Sequence, residues 1–157
     1  VGSIIQNILS MHHELAAIPD KQGKFPLHSI AQYAEDWGNN VQAVYDAFPA
    51  AMTRREKSSN ALPLHLVSSN LDAKPRLIQK IVEYHPRAAL LENKEGKLSL
   101  HLACETGKSW DGGLKEIFNA YPTAIRTPEL HGRGRLPLHC VVSSPHSSLG
   151  TIEKILA

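Results

Sequence analysis

Histidine and cysteine are the residues of this chain best suited to chemistry. His28, His65, His101 and His139 hold one slot in four versions of a phrase: KFPLHS at 24–29, ALPLHL at 61–66, KLSLHL at 97–102 and RLPLHC at 135–140. A neutral imidazole binds zinc or moves protons near neutral pH. Cys104 follows His101 by three residues and Cys140 follows His139 by one, and a Cys–His couple can act as an activated nucleophile. Spacing argues against both chemistries. The histidines are separated by 37, 36 and 38 residues, which is the period of a structural unit. Equivalent positions in units packed side by side lie about 10 Å apart, too far to share one ion. No third group orients either Cys–His pair, and the chain has no CxxC, P-loop or GxGxxG string. No catalytic residue, metal or cofactor is therefore expected. The thiols are expected to be small core residues.

The elements that must position these histidines follow from the same spacing. Pro49, Pro86 and Pro122 each come 21 residues after a histidine, whereas the next histidine follows at 16, 15 or 17. One part of the unit has fixed length and the other tolerates insertion, as exposed loops do. Within the fixed part, Val41, Val44 and Tyr45 recur as Ile78, Ile81 and Val82, as Leu114, Ile117 and Phe118, and as Ile152, Ile155 and Leu156. Apolar residues at i, i+3 and i+4 form one helical stripe. That predicts a second helix, which the proline ends. A first helix is predicted to open at PLH, with proline at N1. Five residues before each histidine stand Gly23, Asn60, Gly96 and Gly134, the residue types that accept a left-handed turn. Each variable loop is thus predicted to be a hairpin-like finger. The stripe begins early, at Ile5, Ile8 and Leu9. One domain is expected over 1–157, with a partial unit at 1–22, units at 23–59, 60–95 and 96–133, and a truncated unit at 134–157. Both ends fall inside second helices, which implies a longer array or ends covered by a neighbour.

These residues resemble the ankyrin repeat, whose signature is a glycine turn followed by T-P-L-H-x-A opening the first of two antiparallel helices. The longer period and the LPLH…YPxAA wording are similar to a divergent branch of that family in diatoms and related algae. The resemblance implies an all-α solenoid of helix-turn-helix units with finger loops, and imidazoles that bond backbone and tie neighbouring units together. It also implies a binding module rather than an enzyme. Two departures stand out. Phe25, Leu62, Leu98 and Leu136 replace the threonine that would cap the helix, and Ser99 replaces proline, where it could supply a capping oxygen.

Composition and charge narrow the partner. Hydrophobic residues are 42% and charged residues 20%, an ordinary soluble balance. No apolar run approaches a membrane span, and no signal peptide is evident. Two cysteines outside any disulfide framework point to a reducing, intracellular compartment. The finger stretches 20–24, 53–60, 92–97 and 126–135 carry +1, +2, 0 and +2, which leaves −3 on the rest of a chain of net charge +2. This polarity suits an acidic protein partner. Without aromatic residues among the tips, nucleic acid is not expected. Binding residues are expected on the fingers (Arg54, Arg55, Arg133 and Arg135) and on the exposed first-helix faces (Gln32, Tyr33, Asn70 and Glu105). Trp37 and Trp110 occupy a slot that elsewhere holds Lys74 and Ser148. A slot tolerant of those residues reads as exposed, which would put both tryptophans at the binding surface; the alternative is that each ring lies flat over its own helix turn, near the aromatic side chain at the start of the second helix. The alternative function is a structural segment that stacks its open ends on neighbouring repeats or chains.

Overall fold

The computed structural model describes residues 3–157. Residues 1 and 2, the start of the partial unit assigned to 1–22, lie outside the described residues. The chain is all-helical: α1 (Ile4–Met11), α2 (Pro26–Tyr33), α3 (Asn39–Ala47), α4 (Pro63–Ser69), α5 (Pro75–Tyr84), α6 (Ser99–Thr106), α7 (Leu114–Ala120), α8 (Pro137–Ser143) and α9 (Leu149–Leu156). Prolines 26, 63 and 137 open their helices at N1 as expected. The prolines that close the second helices do more than end them. Each starts a short 3₁₀ turn: Pro49–Thr53, Pro86–Leu90 and Pro122–Arg126. Proline's fixed φ suits the first residue of such a turn as it suits an α-helix. The chain's first 3₁₀ turn, His13–Ala17, follows α1 in the same way without a proline.

Helices α2, α4, α6 and α8 pack one on the next, while α1 lies against α3 and α5 against α7. Between these layers runs one apolar core. The first helices contribute Leu27, Leu64 and Leu100; the second contribute Val44, Ile78, Ile81, Leu114 and Ile117. Burying a leucine or isoleucine side chain stabilises by about 1.5–3 kcal/mol, so this core accounts for much of the helices' stability. None of the nine exceeds 10 residues, and helices that short are marginal alone. Among the described residues, no helix is long and apolar enough to cross a membrane.

Ser99 corrects an expectation. It is the first residue of α6 rather than its cap, and its buried hydroxyl has no hydrogen-bond partner among the described residues. Proline at this position would remove that stranded group and would also restrict the unfolded chain. Ser99→Pro is therefore expected to stabilise by about 1 kcal/mol, raising Tm by roughly 2–4 °C in thermal unfolding.

Candidate functional site

The fingers occupy 20–24, 56–61, 93–97 and 129–135. Each is closed by a backbone bond from its first N–H to its last carbonyl: Asp20 to Lys24 (2.9 Å), Glu56 to Ala61 (3.0 Å), Asn93 to Lys97 (3.0 Å) and Glu129 to Arg135 (2.9 Å). The turn residues take positive φ as the sequence pattern required, at 75° for Gly23, 55° for Asn60, 74° for Gly96 and 63° for Gly134. At Gly96 crowding adds to the need: a Cβ there would come within 2.5 Å of the His131 nitrogen on the next finger.

A feature the sequence reading missed sits at the base of each finger. Asp20 Oδ1 accepts the N–H groups of Gln22 and Lys24, and Asn93 Oδ1 accepts those of Glu95 and Lys97. Glu56, 1% exposed, accepts from the N–H groups of Ser58, Ser59 and Ala61 and from both serine hydroxyls. Burial pushes the Glu56 carboxyl up, but these donors outweigh it and hold the pKa at about 2. Glu129 accepts from the Arg133 N–H and from Arg135 Nε, both at 3.3 Å. Burial raises its pKa too, and Arg135 more than offsets that. The signal was in plain view: an acid or amide opens every loop a few residues ahead of the Gly or Asn.

The histidines bind the fingers to the helices. Nδ1 of His28, His65, His101 and His139 accepts the backbone N–H of Phe25 (3.2 Å), Leu62 (3.1 Å), Leu98 (3.2 Å) and Leu136 (3.0 Å). The imidazole thus satisfies a helix-start N–H as the glutamate of a capping box would. Because Nδ1 accepts, Nε2 carries the proton. It donates to the carbonyl of Arg54 (2.8 Å) from His28, of Leu91 (2.8 Å) from His65 and of Arg135 (3.1 Å) from His101. Each acceptor flanks the finger that follows: Arg54 and Leu91 come just before it, and Arg135 closes it. Burial lowers the pKa of His28, of His65 (to about 4) and of His101, against the opposing effect of the bonded carbonyl. These rings are neutral structural links.

The thiols are equally committed. Cys104 and Cys140 are both buried. Burial pushes the Cys104 thiol up and takes Cys140 to about 11, so neither is a thiolate at neutral pH. Among the described residues, no three His, Cys, Asp or Glu side chains gather as a metal site would require.

The residues expected at a binding surface divide sharply. Tyr33 ends α2 and is 72% exposed. Arg54, which follows the 3₁₀ turn just before its finger, and Arg133, within its finger, are exposed. Gln32 is half-buried and accepts from Lys24 Nζ (2.9 Å). Arg55 donates from Nη1 to the Asn60 carbonyl (2.6 Å) and to the Glu92 carbonyl just before the next finger (2.8 Å). Glu105 pairs with Lys97 (3.0 Å) and Arg135 (2.5 Å).

Both tryptophans take the packed alternative, and Asn70 overturns an expectation of exposure. Trp37 is 3% exposed, with its Nε1–H on Gln42 (2.8 Å) and its ring against Tyr45 and Tyr84. Trp110 is half-buried against Phe118. Asn70 is buried because its amide donates to the Ala34 carbonyl (2.8 Å) and the Ala31 carbonyl (3.3 Å), closing the C-terminal end of α2. Lys108, also buried, does the same for α4 by donating to the Asn70 carbonyl. Such a cation complements the partial negative charge at a helix end, while its burial lowers the pKa to about 8. Compared with protein-family models and with curated proteins, the chain matches none.

Proposed function

We propose that the chain is an ankyrin-like solenoid that works as a non-catalytic protein–protein interaction module, holding an acidic partner in the groove between its fingers and first-helix faces. The observation that carries this reading is the division of labour among polar side chains. Histidines and finger carboxylates are turned inward onto backbone, whereas Tyr33, Arg54 and Arg133 face solvent with no side-chain partner among the described residues. Rigid spacing with free side chains at the edge is how repeat arrays recognise partners.

The test is a triple variant, Tyr33→Ala/Arg54→Glu/Arg133→Glu, compared with wild type in capture from native extract. Unchanged thermal unfolding with loss of the wild-type partner is expected. Equal recovery of the same partner by both proteins would sink the assignment.

One observation favours the notion that the ends stack on like units. His139 satisfies Nδ1 in the usual way, but among the described residues its Nε2 has no acceptor and the ring is exposed. Light scattering during the same comparison separates the two. A 17.3 kDa particle that captures a partner supports the module, and growth in size with concentration supports stacking.

A further inference from the structure

Three of the four fingers carry a lysine at one shared register position. Counting three residues from the residue that follows each 3₁₀ turn (Ile18, Arg54, Leu91 and Thr127) gives Lys21, Lys57, Lys94 and Leu130. Backbone bonds fix this register. The N–H of Lys57 donates to the Gln22 carbonyl, that of Lys94 to Ser59 and that of Leu130 to Gly96, each at 2.8 Å. At two of these places the side chain lies across the glycine of the preceding finger: the Lys57 stem over Gly23 and Leu130 over Gly96. All four side chains are exposed, and none of the three lysines joins an ion pair among the described residues. Nearby carboxylates are already engaged. Asp20 and Glu56 hold their own turns, and Glu95 pairs with Lys97 at 3.0 Å.

The pitch of this ladder follows from what carries it. Helices α2, α4 and α6 pack face to face, and helices so packed lie about 8–10 Å apart. A polyproline II segment rises about 3.1 Å per residue and returns the same face every third residue, so its matching side chains recur at about 9 Å. A β-strand does not fit, because residues three apart point to opposite faces.

We propose that the finger edge binds a polyproline II segment of a partner protein with acidic residues at i, i+3 and i+6, seated on Lys21, Lys57 and Lys94, and an apolar residue at i+9 against Leu130. This rests on the reading of the fingers as partner-facing and names the chemistry of what they face. The opposed charges supply steering and register, and Leu130, 64% exposed, gives the ladder a polarity.

The test uses labelled proline-rich peptides and fluorescence anisotropy with the full chain. One peptide carries Asp at i, i+3 and i+6 with Leu at i+9, in both chain directions. A second has the same composition with its three Asp residues contiguous. Three exposed ion pairs are individually weak, so the expected preference for the better-oriented spaced peptide is about tenfold. It should disappear in Lys21→Gln/Lys57→Gln/Lys94→Gln and shrink as salt rises. Equal binding of spaced and contiguous peptides would overturn the ladder, and so would tighter binding of a single-stranded oligonucleotide than of either peptide. Neither result touches the partner-capture experiment, which depends on Tyr33, Arg54 and Arg133.

Discussion

Replacing His65 with alanine is expected to destabilise the fold by about 3 kcal/mol, because it strands a buried backbone N–H, removes a bond to a partly buried carbonyl and leaves a cavity. The groups are the Leu62 N–H, which the ring accepts at 3.1 Å, and the Leu91 carbonyl, to which it donates at 2.8 Å. His139→Ala is the control. That ring is exposed and makes only the first of the two bonds, so water can replace it and the cost should be about 1 kcal/mol or less. Denaturant unfolding of the two variants measures the difference. Equal costs would mean that the link to the Leu91 carbonyl contributes nothing.

The same ring sets an acid limit. Its pKa falls from 6.5 to about 4 on folding because burial disfavours the cation, and the adjacent Arg55 charge acts in the same direction. Between those two values the unfolded chain binds a proton that the folded chain refuses. Stability is then complete above pH 6.5 and declines as pH falls toward 4, by about 3 kcal/mol for this group. His28 and His101, lowered in the same direction, steepen the decline. Glu56, held at about 2, contributes stability above its ordinary range that is lost only at still lower pH. Unfolding at several pH values should show a shallower slope for His65→Ala than for wild type.

What could be read without coordinates was whatever the chain says four times. The turn at Gly23, Asn60, Gly96 and Gly134 is one backbone requirement met by different residues, so comparison of the copies exposes it. The copies gave the imidazole's period, and the resemblance to the ankyrin repeat implied its role. Asn70 and Lys108 resisted reading because each closes the helix of the preceding unit, a contact set by packing between units. Their counterparts, at other offsets from the histidine, are different residues. The 3₁₀ turns after Pro49, Pro86 and Pro122 were half visible, since proline announces a helix end and a turn start equally well.

Trp37 shows how averaging over copies can mislead. Its slot holds Lys74 and Ser148 elsewhere because those units lack its particular neighbours. Tyr84, from the unit after Trp37, stacks on Tyr45 at 4.0 Å, and both rings meet the indole, at 5.5 and 6.0 Å. Trp37→Ala is therefore expected to cost about 4 kcal/mol as a large aromatic deletion from a packed core, lowering Tm by roughly 8–16 °C. Trp110→Ala, at a half-buried ring against Phe118, should cost about half as much or less. A double-mutant cycle between Trp37→Ala and Tyr84→Ala should give a coupling of about 1 kcal/mol. If the cycle shows no coupling and Trp37→Ala unfolds at the wild-type temperature, the indole is not core. Loss of a partner by that variant would then report binding. With the packing seen here, the same loss would report unfolding, and for that reason the binding surface is better probed at Tyr33, Arg54 and Arg133.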